Sequence, residues 1–179
     1  MQNKKIKMFG SLKVLCSSAI LTALAVVIAY LCKFLTLTPT IRITFENLPI
    51  ILCGYLFGPF TGLACGLCAD LLNTAVSQYG IGGINPIITL GAASVGFFAG
   101  FSYSKKPKLR LFFAVFISHI TGNILIKSAG LMIYYGTPII GVLPRLPLYI
   151  AIASIEFILL LFITKSKGLT KAMGGRNDL

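Results

Sequence analysis

The stretch FTGLACGLCADLLNTA, residues 60–75, decides the fold: it is apolar enough to be read as a membrane helix, yet it carries one charge, Asp70, with Asn73 three residues later. A carboxylate at the centre of a bilayer costs about 2.5–3.5 kcal/mol on insertion scales, so one that persists there has a partner or a function. The surrounding chain has 179 residues, 56% hydrophobic and 11% charged, with a mean hydropathy of +0.91. Soluble domains are about 25% charged. This composition predicts an integral membrane protein.

A membrane-crossing helix needs about 20 predominantly apolar residues. Candidates lie at Leu12–Leu31, Asn47–Phe57, Phe60–Ser77, Pro86–Tyr103, Leu109–Tyr134 and Pro144–Thr164. The expected fold class is an all-α bundle of six transmembrane helices with a short second helix. It would occupy residues 11–165, between a basic cytoplasmic N-terminus, 1–10, and a cytoplasmic tail, 166–179. Gly58-Pro59 and Asn85-Pro86 mark helix boundaries, a glycine stop and an N-cap residue, each followed by a proline suited to the first helical turn. Gln78–Ile84, with Gly80, Gly82 and Gly83, reads as a loop, as does Gly136-Thr137-Pro138.

With both termini inside, the cytoplasmic side collects Lys4, Lys5, Lys7, Lys13, Lys105, Lys106, Lys108, Arg110, Lys165, Lys167, Lys171 and Arg176, leaving Lys33, Arg42, Lys127 and Arg145 in the outer half. This asymmetry satisfies the positive-inside rule and accounts for a net charge of +12 beside anionic lipid, without nucleic acid. A signal peptide over Lys4–Ala25 is rejected because the apolar run continues to Leu31, beyond the roughly 7–15 residues of a signal h-region. Cys65-x-x-Cys68 lacks a second metal-binding pair, and the five cysteines read as small packing residues with no metal and no disulfide framework. Small residues four apart, Ala19/Ala23, Ala25/Ala29, Gly58/Gly62/Gly66 and Gly96/Gly100, are ridges that let helix backbones approach closely.

Converting position to depth at about 1.5 Å per residue places Asp70 near mid-membrane and Asn73 nearer the outside. His119, Asn123 and Lys127 then form one face of the fifth helix. Glu46, Asn47 and Arg42 before the second helix, Asn85 before the fourth and Arg145 before the sixth complete a polar pocket opening outward. Lys127 is the rival partner that would make Asp70 structural, Glu156 and His119 have matching depth and are expected to pair, and Arg42 and Arg145 can alternatively snorkel to headgroups. No Gly-x-Ser-x-Gly elbow, metal cluster, phosphate loop or second carboxylate at working distance from Asp70 is legible, so binding is expected rather than catalysis. A buried carboxylate accepts paired hydrogen bonds from an amidine-like edge, cations nearer the mouth suit ligand carboxylates, and Phe34, Phe45, Tyr79 and Tyr135 can cover a flat ring.

The run Arg42-Ile-Thr-Phe-Glu-Asn-Leu-Pro-Ile-Ile-Leu-Cys-Gly-Tyr-Leu-Phe-Gly-Pro59, followed by Gly62, Gly66, Ala69-Asp70, Gly83-Ile-Asn85-Pro86 and Thr89-Leu-Gly-Ala, resembles the folate-specific substrate-binding (S) component of energy-coupling factor (ECF) vitamin transporters. The resemblance spans about residues 11–165. It implies a non-enzymatic protein of the bacterial cell membrane that binds folate and needs no cofactor of its own. Its partners would be a transmembrane coupling subunit (EcfT-like) and two ATP-binding-cassette ATPases (EcfA-like) that spend the ATP. Ala19-x-x-x-Ala23 matches the family's docking motif for the coupling subunit, and Ala25/Ala29 offers a second register. On this resemblance the pterin edge meets Asp70 and Asn73, the glutamate tail lies near Arg42, Lys127 or Arg145, and Phe45, Glu46, Tyr79, Asn85 and Asn123 complete the site. The alternatives are an S component for thiamine or riboflavin, a small membrane enzyme acting on lipid, and a structural subunit that binds no small molecule.

Overall fold

A computed structural model describes residues 11–38, 41–76, 85–102 and 106–166, with the side chains of 36–42 excluded. The N-terminal segment 1–10, the loop 77–84 with Tyr79, and the tail beyond residue 166 lie outside the described residues. Helix α1 (Leu12–Leu31) leads through a 3-10 turn (Cys32–Leu35) into an antiparallel ribbon of β1 (Thr36–Thr38) and β2 (Ile41–Arg42). Then follow α2 (Asn47–Phe57), α3 (Pro59–Val76), α4 (Pro86–Phe101) and α5 (Pro107–Ser118). A π segment (His119–Ile126) continues α5 into α6 (Lys127–Tyr135), and α7 (Ile139–Val142) precedes α8 (Arg145–Lys165).

The boundaries have the local causes read from sequence. Gly58 takes φ +110°, a conformation L side chains avoid, and lets the chain turn from α2 directly into α3. Asn85 caps α4, its Oδ1 accepting from the Ile87 and Ile88 amides at 3.0 and 3.3 Å, with Pro86 in the first turn. Gly136, at φ +63°, ends α6 in the left-handed cap.

Among the described residues four helical stretches are long and apolar enough to cross a membrane: Leu12–Leu35, Pro59–Val76, Pro107–Tyr135 and Ile139–Lys165. The expectation of one short helix is therefore corrected to two, since α4 with 16 residues joins α2 with 11. They differ in setting: α2 sits inside the bundle, while α4 buries one face and turns Leu90 and Phe101 outward. Nearly all of α2 is buried, from Pro49 to Phe57, among apolar side chains of α1, α3, α5 and α8. Large apolar residues such as Leu12, Ile20, Leu90, Leu125, Ile140 and Phe162 face outward, while Asn47, His119, Asn123 and Glu156 are buried. A water-soluble core would reverse that distribution.

The closest helix contact is between α3 and α4. A Cβ placed on Gly62 would overlap the carbonyl oxygen of Gly96, one on Gly96 the carbonyl of Gly62, and one on Gly66 the carbonyl of Ala92. Gly54 of α2 meets the same Gly96 carbonyl. The spaced glycines are thus internal packing surfaces. Ala25 and Ala29 also face inward, whereas Ala19 and Ala23 are on the exposed side of α1. Because the atoms opposite Gly96 are backbone and cannot rotate away, Gly96→Val is expected to destabilise the protein by about 3 kcal/mol, the upper end of overpacking costs. Gly141→Ala, whose Cβ meets only side-chain carbons, the Thr137 methyl at 3.3 Å and Pro138 Cγ at 4.0 Å, should stay within about 0.5 kcal/mol. Thermal unfolding of both variants in detergent checks the contrast.

Candidate functional site

The α3–α4 contact positions the site. Along the two antiparallel helices, from the Gly58 turn toward the C-terminal end of α3, Gly62 lies opposite Gly96, Gly66 opposite Ala92, and Asp70 opposite Thr89. The Thr89 hydroxyl donates to Asp70 Oδ2 at 2.7 Å and also reaches the Asn85 carbonyl at 3.1 Å. One carboxylate oxygen is therefore oriented by the protein. A narrow, partly open cleft with a cavity volume of about 10 Å³ lies beside it, lined by Ala25, Ala29, Glu46, Ile50, Ala69, Asp70, Asn73 and Ala92. Alanines from three helices keep the walls low around the polar groups.

Glu46, Asp70 and Asn73 are brought together as expected, and Phe45 sits half-buried beside Glu46. Other assignments change. Lys127 does not pair with Asp70; its Nζ lies 3.3 Å from Glu46 Oε1, with both side chains largely buried. Its aliphatic stem crosses Gly91 of α4, where an added Cβ would come within 2.6 Å of the lysine Cγ. Asn85 is occupied by its capping role and by a 3.4 Å contact from Nδ2 to the Gly130 carbonyl, outside the cleft lining. Arg145 is 6% exposed, with Nη2 3.3 Å from the Tyr149 hydroxyl and its guanidinium 5.2 Å from that ring, so it faces the bundle instead of snorkelling. Arg42 belongs to β2, opposite Thr36, and its side chain is outside the described residues.

Asn123 lies deeper, at 0% exposure, beside the expected His119–Glu156 pair. His119 Nε2 and Glu156 Oε2 are 2.7 Å apart, and Asn123 Nδ2 is 3.1 Å from His119 Nδ1. The π segment explains how one helix serves both this pair and the cleft. In a regular α-helix residues eight apart diverge by about 80°; π turns rotate less per residue, which swings Lys127 back toward the line of His119 and Asn123. The described cleft is lined by two carboxylates, Glu46 and Asp70, although the sequence placed no second carboxylate at working distance from Asp70. Glu46 is countered by Lys127, while Asp70 accepts a hydroxyl hydrogen bond.

Sequence reasoning missed Ile50, Ala69, Thr89 and Ala92 as site residues. Thr89 was detectable from its place four residues after Asn85, but nothing local tells which helix it faces. Cys65 accepts from the Thr22 hydroxyl at 3.2 Å and Cys68 is exposed, so the two cysteines point to different surroundings, and the described residues contain no metal-binding cluster.

Comparison with known proteins gives this geometry a context. The family model for the ECF transporter substrate-specific component matches residues 13–172. No curated protein sequence matches the chain. A solved structure described as FolT bound with folic acid superposes with a TM-score of 0.69 at 25% identity, covering 85% of this chain and 92% of that one. The shared fold is that of a membrane protein component of transporters and not of an enzyme. With nearly its whole length matched by the family model, the chain belongs to the substrate-specific components of ECF transporters.

Proposed function

We propose that this chain is the folate-binding S component of an ECF-type importer, which captures the vitamin from outside and hands it over after docking on a transmembrane coupling subunit. Two ATP-binding-cassette ATPases drive release inside. The observation that carries this reading is Asp70: one oxygen is held by Thr89 while the residue lines a narrow cleft with Asn73. Such a carboxylate accepts parallel hydrogen bonds from the amino-pyrimidine edge of a pterin. Similarity to a FolT structure that holds folic acid supports the choice of ligand.

In this reading Phe45 and Tyr79 cover the ring, Lys127 holds Glu46 in place, and the glutamate tail extends toward Arg42 and Arg145. Asn85 and Asn123 act through the backbone and through His119 rather than on the vitamin. Six passes through a bacterial cell membrane, with α2 and α4 as short buried passes, put both termini in the cytoplasm on the basic side. The exposed Ala19/Ala23 side of α1 is the docking face for the coupling subunit. A second reading is favoured by one feature: Glu46 and Asp70 in the same cleft also suit a cationic vitamin such as thiamine.

Equilibrium titration of detergent-purified protein with folate, thiamine and riboflavin separates these readings. Folate should saturate a single site and the other two should not; saturation by thiamine alone would move the assignment to the second reading. Asp70→Asn should weaken folate by about 1.5–3 kcal/mol, the range for a hydrogen bond to a charged group. Thr89→Val should cost about three- to tenfold in Kd, close to the net worth of one hydrogen bond, with thermal stability little changed. For docking, Ala19→Trp and Ala23→Trp should abolish co-purification with the coupling subunit while leaving the folate titration as in wild type; full assembly by both variants contradicts the assigned face.

A further inference from the structure

A second cleft lies far from Asp70, where α2 and α8 end and α5 begins. It has a cavity volume of about 220 Å³ and is lined by Tyr55, Pro107, Lys108, Leu111, Leu161, Thr164 and Lys165. Its floor is rigid. Arg110, buried beneath it, donates from Nη2 to the Tyr55 carbonyl at 3.1 Å and stacks its guanidinium 4.6 Å from the Tyr55 ring. The Tyr55 hydroxyl donates to the Pro107 carbonyl at 3.4 Å, and the Ser102 hydroxyl to the Arg110 carbonyl at 2.9 Å. These contacts tie the end of α2 to the start of α5 and leave an apolar slot between α5 and α8, walled by Leu111 and Leu161.

Charge is distributed unevenly around this slot. Lys108 and Lys165 line it and are exposed, with Lys165 Nζ resting 5.7 Å from the Phe162 ring. Lys13, Lys106 and Arg110 belong to the same end of the bundle. The sequence has four acidic residues; Glu46 and Asp70 are at the opposite end, and Asp178 lies outside the described residues. Glu156 is nine residues before Lys165 on α8, about 13 Å away along the axis, and is paired with His119. Among the described residues no carboxylate balances the two lysines of the cleft.

We infer that this cleft is a binding site for one anionic phospholipid, with an acyl chain in the slot between α5 and α8 and the headgroup phosphate between Lys108 and Lys165. An apolar trough with cations at one end matches the two halves of that molecule. A free phosphate would leave the half-buried Leu161 uncovered, and a neutral lipid would leave the lysines uncompensated. The bilayer presents such molecules at the depth where basic helix ends meet headgroups, and each nearby cation strengthens their attraction. The inference is independent of which vitamin the other end binds.

Native mass spectrometry of the purified full chain, after exchange into detergent with defined phosphatidylglycerol or phosphatidylcholine, tests the site. Wild type should retain one phosphatidylglycerol in preference to phosphatidylcholine. Lys108→Gln/Lys165→Gln should reduce its retention by about thirtyfold, the effect of two interfacial cations. Lys13→Gln/Lys106→Gln, which removes the same charge outside the cleft lining, should stay within about threefold. Leu161→Trp, which fills the slot without altering charge, should also reduce retention. Equal retention of the two lipids, equal loss in both lysine pairs, or unchanged retention in Leu161→Trp would overturn the assignment.

Discussion

The backbone-to-backbone contact of α3 with α4 is the constraint on which the rest of the structure depends. In lipid, helices gain little by hiding apolar surface from one another, so close packing must supply the association energy. Gly62, Gly66 and Gly96 allow that approach because any Cβ there would meet a carbonyl of the facing helix. The same register, continued one helical turn further along α3, brings Thr89 to Asp70. Orientation of the site carboxylate is thus a consequence of how the glycines pack, and a larger residue at Gly96 would disturb both.

Around that contact the polar groups fall into separate circuits. Glu46 with Lys127 closes one side of the cleft, His119 with Glu156 and Asn123 holds the π segment against α8, and Arg145 leans on Tyr149. A buried ion is tolerable only when another group answers it. Pairing most of them leaves Asp70, answered by a hydroxyl, as the carboxylate best placed to accept donors from a ligand.

Much of this was legible in the sequence because it is written locally. Gly58-Pro59, Asn85-Pro86 and Gly136 end or begin helices through their own backbone preferences, and depth along a helix correctly matched His119 with Glu156. Depth says nothing about the angle around the axis, however. That is why Lys127 stands in the sequence as a rival partner for Asp70 when it faces Glu46, 81 residues away in the chain, and why Arg145 has a lipid-facing option there. Asn85 carried two local signals, cap and pocket, and the cap accounts for its contacts. The π segment had no readable signature, and the Thr89 contact depends on a helix pairing that only the folded chain defines.

The most direct measurement is displacement of bound folate by a pterin that lacks the glutamate tail, in wild type and in Asp70→Asn. The account predicts that the tail-less pterin competes in wild type and loses at least about tenfold of its potency in the variant, as expected for a charged hydrogen bond. Competition of equal strength in both proteins, or no folate binding to displace, would contradict it.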